Sequence, residues 1–195
     1  MRIRAAATRI ACLEWCERND NARLVRVWPR LGPGRARNLG IEQAEIHFGD
    51  DSLLYTCDGD SYHLPGWDQV LLKAWPWAQE HDFRVLGGYC HPYHLTNGVY
   101  SGGSVQLHDK YAVGLLSWLM SWDTWRKFGP FTPSAQPNDS EDCNFCTAVR
   151  ESGGKVGCVD PPVVVNCGLT STTGRPSPGA EWIYRQVIPE GVVIE

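Results

Sequence analysis

Two aspartates separated by one glycine, Asp58-Gly59-Asp60, follow an apolar run from Ser52 to Cys57 and precede Pro65-Gly66-Trp67. The run is short, apolar and bounded by turn residues, which predicts a buried strand rather than a helix. Alternate residues of an extended chain project the same way, so both carboxylates can aim at one point beyond the strand's end. Gly59 between them carries no side chain to obstruct a ligand. Two oxygen donors on an open loop suit Mg²⁺ or Mn²⁺, which takes few protein carboxylates and completes its shell with water and phosphate oxygens. The chemistry this predicts is the holding of a metal–diphosphate. The same residues also satisfy an ordinary turn.

A second acidic pair, Glu141-Asp142, opens a stretch whose apolar residues Phe145, Ala148 and Val149 have helical spacing. Asp139 or Ser140 can cap that helix, and acids in its first turn complement the dipole. A carboxylate there, beneath a polar loop, also suits a general base acting on a bound hydroxyl. Either account explains the residues.

The elements that must position these acids follow from periodicity. Helices are predicted over Ala5–Glu17, Arg35–Ile46, Gly66–Gln79, Ser121–Phe128 and Asp139–Ser152. In the first, Ile10 and Leu13, with Ala6 and Trp15, are candidates for burial; in the second, Ala36, Leu39 and Ala44. Strands are predicted at Leu24–Trp28, in the run ending at Cys57, and at Phe83–Leu86, Lys155–Val159 and Val163–Val165. Residues 89–108 read as a loop with short strands. Strands alternating with helices predict an α/β fold with a mostly parallel sheet, whose ligands sit beyond the carboxyl ends of its strands. The loop after Cys57 would lie there. The chain opens on a helix, so the first strand of such a fold is missing or reduced to Met1-Arg2-Ile3.

At 195 residues, with 43% hydrophobic and 21% charged residues, the chain is expected to be one globular domain with its own core. No apolar stretch reaches membrane-spanning length, and no secretory signal is evident, so a cytoplasmic location with mostly reduced cysteines is expected. Net charge is −4, unevenly placed: residues 1–37 hold nine arginines against Glu14, Glu17 and Asp20. A basic front can attract nucleic acid, but solvated helix and strand faces account for it better, since no aromatic-interleaved basic cluster accompanies it.

Several segments, in order, resemble the inverting glycosyltransferases of family 2, which have the GT-A fold. Gly34-Arg35-Ala36-Arg37-Asn38-Leu39-Gly40-Ile41 looks like the family's Ala-Arg-Asn helix, and Tyr55 to Asp60 with Pro65-Gly66-Trp67 looks like its metal loop. Phe128-Gly129-Pro130-Phe131 resembles the element before the acceptor loop, and Glu141-Asp142 with Arg150 and Gly153-Gly154 resembles the base-bearing helix. Pro161 to Val165 fits the strand before the closing metal-site loop, so the likeness covers roughly residues 30–170.

The resemblance implies a compact GT-A-like three-layer sandwich with its N-terminal strand reduced or missing. Residues 1–175 would form one catalytic domain and 176–195 a C-terminal tail. It implies a hexosyltransferase-type enzyme that moves a sugar from a nucleotide-diphosphate donor, foremost a UDP-sugar, to an unknown acceptor hydroxyl with Mn²⁺ or Mg²⁺. Asp60 would be the principal metal ligand, and Asp58 would hold the ribose or the metal's water shell. Asn166 stands where members often carry a histidine ligand. Asp142 would be the base, supported by Glu141. Arg37, Asn38 and Gly88 would border the donor, although packing and capping explain Arg37 and Asn38 equally well. His91 and His94 fall in a loop that would border the sugar pocket, and Trp67 offers a face for sugar stacking; these three are the acceptor-binding candidates.

Trp118, Trp122 and Trp125 recur at helical spacing and read as a core stripe, and Cys143-x-x-Cys146 reads as helix packing rather than a zinc site. Two alternatives stand beside the enzyme: a non-catalytic GT-A-fold binding or scaffold protein, and a glycosyltransferase acting on modified nucleic acid.

Overall fold

The computed structural model describes residues 11–25, 32–89, 94–102, 105–132 and 141–166. Residues 11–17 form helix α1. Helix α2 (Pro33–Phe48) begins on a proline, whose fixed φ suits a first turn, and stops at Gly49, φ 72°. Then follow β1 (Leu53–Cys57), β2 (Ser61–His63), α3 (Trp67–Glu80), β3 (Phe83–Gly87), β4 (Thr96–Gly102) and β5 (Val105–Lys110). The chain continues through β6 (Ser117–Ser121), α4 (Trp122–Phe128), α5 (Glu141–Glu151), β7 (Lys155–Asp160) and β8 (Val164–Asn166).

Six strands form one sheet in the order β1-β6-β3-β7-β5-β4. Only β3 and β7 pair in parallel; the other four pairings are antiparallel. The fold is therefore mixed α/β with a mostly antiparallel sheet, which corrects the expected mostly parallel one. Two insertions cause this: β6 enters between β1 and β3 in the opposite direction, and the β4–β5 hairpin adds antiparallel to β7. Because β1 and β3 both oppose β6, and β7 runs with β3, these three still point the same way. Their carboxyl ends share an edge with the start of β6, where Cys57 faces Ser117. A separate antiparallel ribbon joins β2 to β8, with Ser61 opposite Asn166.

The core is built on this sheet: Phe83, Val85, Leu107, Val113, Trp118, Met120, Val149 and Val156 are fully buried. Trp118 belongs to β6 while Trp122 begins α4, so the predicted helical tryptophan stripe spans a strand–helix junction. The Ser121 hydroxyl makes the junction by accepting the Thr124 N–H at 3.1 Å, a helix N-cap. Trp118, Trp125, Phe131 and Phe145 pack as one aromatic cluster, with ring centres 5.3 to 6.4 Å apart.

Other expectations also change. Leu13 and Trp15 of α1 are exposed rather than buried. In α2 the buried apolar residue is Ile41, with Ala36 exposed and Leu39 and Ala44 partly covered. Leu24 and Val25 are exposed in irregular structure. Met1–Ile3, Ala6, Ile10, Arg26–Trp28, the cap candidates Asp139 and Ser140, and the tail from 167 lie outside the described residues. Among the described residues, no helix is long and apolar enough to cross a membrane.

Candidate functional site

At the end of β1 the chain reverses over Asp58-Gly59-Asp60: the Ser61 N–H donates to the Asp58 carbonyl at 3.2 Å, closing a four-residue turn. This turn is fastened to the chain just before β6. The Leu116 carbonyl accepts from the Asp58 N–H at 3.2 Å and from the Ser61 hydroxyl at 2.8 Å. The reversal leads directly into β2, and the Ser61–Asn166 pairing sets Asp60 beside Asn166 at one end of the ribbon.

A cavity of about 560 Å³ opens here. Asp58, Asp60 and Asn166 line it, together with Glu141 and Asp142 from the first turn of α5. Pro33 and Arg37 of α2, Gly59, Tyr89, His94, Gly114, Leu115 and Leu116 complete the described lining. Two acidic pairs far apart in sequence thus meet in one hollow.

Arg37 lies between them. Its guanidinium is ion-paired with Asp58 and stands 4.0 Å from Glu141 Oε1. Its side chain is only 12% exposed. Burial pulls its pKa down, while the negative charges of Glu141, Asp142 and Asp60 act in the opposite sense. Its Nε is buried and makes no hydrogen bond. Glu141 is buried beside it. Asp142 Oδ1 accepts the Cys143 N–H at 2.8 Å.

Three of the predicted site residues lie elsewhere. Asn38 faces Phe131, donating to its carbonyl at 2.8 Å and accepting its N–H at 2.9 Å. Both halves of the amide are used in holding the backbone after α4. Gly88 is a packing residue: its N–H donates to Ser117 Oγ at 3.0 Å, and its carbonyl accepts from the Val163 and Val164 N–H groups. Trp67 packs against Tyr55 and His63, with ring centres 4.6 and 4.5 Å away. It lines a different, apolar hollow of about 270 Å³ with Leu53, Leu71, Leu72 and Leu119. His91 is outside the described residues, whereas His94 lines the acidic cavity.

Behind the cavity, the Tyr55 hydroxyl donates to Ser117 Oγ at 2.8 Å and meets His63 Nε2 at 2.7 Å. Burial pushes the Tyr55 pKa up to about 12, which keeps it a donor. Ser117 therefore joins β1, the end of β3 and the ribbon. Cys146 is buried in the core and Cys143 is exposed, and burial raises both thiols.

Tyr89, Gly114, Leu115 and Leu116 line the cavity without having been singled out in the sequence. Their one available signal was position: Tyr89 follows a glycine pair at a strand's end, and Gly114 interrupts an apolar run.

The donor set fits a hard divalent cation that keeps most of its shell for water and phosphate. Asp60 and Asn166 both line the cavity, while Asp58 is already engaged by Arg37. Among the described residues no three His, Cys, Asp or Glu side chains form a metal-holding group. Neither a protein-family model nor a curated protein sequence matches the chain.

Proposed function

We propose that this chain is a metal-dependent inverting glycosyltransferase, transferring a sugar from a nucleoside-diphosphate donor, UDP-linked in the first instance, to an acceptor hydroxyl. One observation carries the reading: Asp60 and Asp142 line the same cavity, with Arg37 between the acidic pairs. The likeness of its motifs to family 2 glycosyltransferases supports the same assignment.

In the proposed step the acceptor oxygen attacks the anomeric carbon while its proton passes to the Asp142 carboxylate. The bond from that carbon to the diphosphate oxygen breaks, and its electron pair leaves with the diphosphate. Attack opposite the leaving group inverts the configuration. A divalent cation held by Asp60 and Asn166 would offset charge building on the diphosphate. Arg37 holds Asp58 in place, and buried Glu141 keeps the guanidinium from leaving the floor of the cavity.

The test is nucleoside-diphosphate release from a panel of sugar nucleotides with Mn²⁺. A positioned base contributes roughly 10²–10⁴-fold, so Asp142→Asn should lose about that much turnover and keep donor affinity. Asp60→Ala should lose metal-dependent donor binding. Unchanged turnover in Asp142→Asn removes the base assignment.

The engagement of Asp58 by Arg37 favours a second reading, a donor-binding protein without turnover. Heat on titrating UDP with Mn²⁺, with no release from any donor, selects it.

A further inference from the structure

Gly114 is not required by its backbone, because its φ lies outside the left-handed region. Nor do its packed neighbours demand it. A Cβ placed there would meet, among the described residues, only Asp142 Oδ2, at 4.0 Å, an ordinary contact distance. The position itself is fixed: the Gly114 carbonyl accepts the indole N–H of fully buried Trp118 at 2.8 Å, and Val113 and Leu115 on either side are buried. Among the described residues, the space on the side where a Cβ would project is bordered only by the carboxylate of the proposed base. An acceptor oxygen within hydrogen-bonding range of Oδ2, about 2.7 Å, would need room in that region.

We propose that Gly114 determines specificity by setting the width of the passage through which an alcohol acceptor reaches Asp142, as distinct from water. This rests on the transferase reading. Side-chain bulk at 114 would obstruct a carbon-bearing acceptor more than a water molecule, because water needs no space beyond its own oxygen.

The experiment compares the parent chain with Gly114→Ala and Gly114→Val. The sugar nucleotide that the parent hydrolyses fastest with Mn²⁺ is supplied in water alone, then with glycerol or methyl glucoside. The readout is the ratio of transfer to hydrolysis, which a general loss of folded protein does not move. The ratio should fall about twofold in Gly114→Ala and at least about tenfold in Gly114→Val, since each added methyl takes space from the alcohol's carbon and not from water. Near-UV circular dichroism from the chain's nine tryptophans checks the fold, and Gly114→Ala alone carries the test if the valine variant is unfolded. An equal ratio in folded variants overturns the role of Gly114 and leaves the transferase reading standing. A parent that hydrolyses donor but transfers to neither alcohol overturns the passage. A parent that releases no nucleoside diphosphate from any donor overturns the transferase reading itself, and this inference with it.

Discussion

Arg37 and Asp58 form a direct ion pair that ties α2 to the turn after β1. Removing one partner leaves the other charge in a partly buried place, which is costlier than removing both. Asp58→Ala and Arg37→Met should each destabilise the fold by about 2 kcal/mol, discounted from the fully buried case because Asp58 reaches solvent. The double variant should lose clearly less than the two single losses combined. Urea denaturation of all four proteins measures the coupling, and additive losses would show that the pair contributes nothing.

Asn166 brings a neutral side chain to the cavity that Asp60 lines. Replacing it by aspartate adds a charge without lengthening the side chain. Asn166→Asp should tighten Mn²⁺ binding about tenfold, because affinity for hard cations rises with ligand charge. Calorimetric titration with Mn²⁺ alone, against Asn166→Ala as the weakened control, checks it.

Gly88 is enclosed on the side where a methyl would project. A Cβ there would stand 2.7 Å from Val164 Cγ2 and 2.9 Å from Ser117 Oγ. Relief would have to come from β8 or from the Tyr55–Ser117 bond. Gly88→Ala should cost about 1–3 kcal/mol. It should also weaken Mn²⁺ binding, because β8 carries Asn166. A thermal melt and a metal titration read the two effects separately.

His63, packed between Tyr55 and Trp67, is held below its ordinary pKa by desolvation. The unfolded chain protonates this group near the ordinary value of about 6.5. Between that value and the lower folded one, the unfolded state binds the extra proton, so stability falls as pH drops through the window. His63→Gln keeps a polar partner for Tyr55 and removes the titration. Its urea midpoint should fall less than the parent's between about pH 7.5 and about pH 5.

The site was more legible than the sheet. Asp58 and Asp60 could be read from the strand before them, and Glu141 and Asp142 from the helix after them, because both pairs sit at element ends that local signals define. Strand direction is not a local property. β6 is packed on both sides, so Trp118–Met120 is apolar without alternation, and Trp118 falls by coincidence into helical spacing with Trp122. Without that strand, strands alternating with helices read as a mostly parallel sheet. Asn38 shows a different limit: an amide one residue from a site arginine looks functional until its distant partner, Phe131, is seen.

The ribbon orders events during synthesis. β2 is made early but its partner β8 is the last described strand, so Asp60 gains its neighbour only after residue 166 has left the ribosome. The nascent chain already holds the acids of α5 by then. A polypeptide stalled before β8 would carry Asp60 and the acids of α5 but lack Asn166 and the ribbon that fixes the turn, so the lining of the cavity is completed only once translation has passed that point.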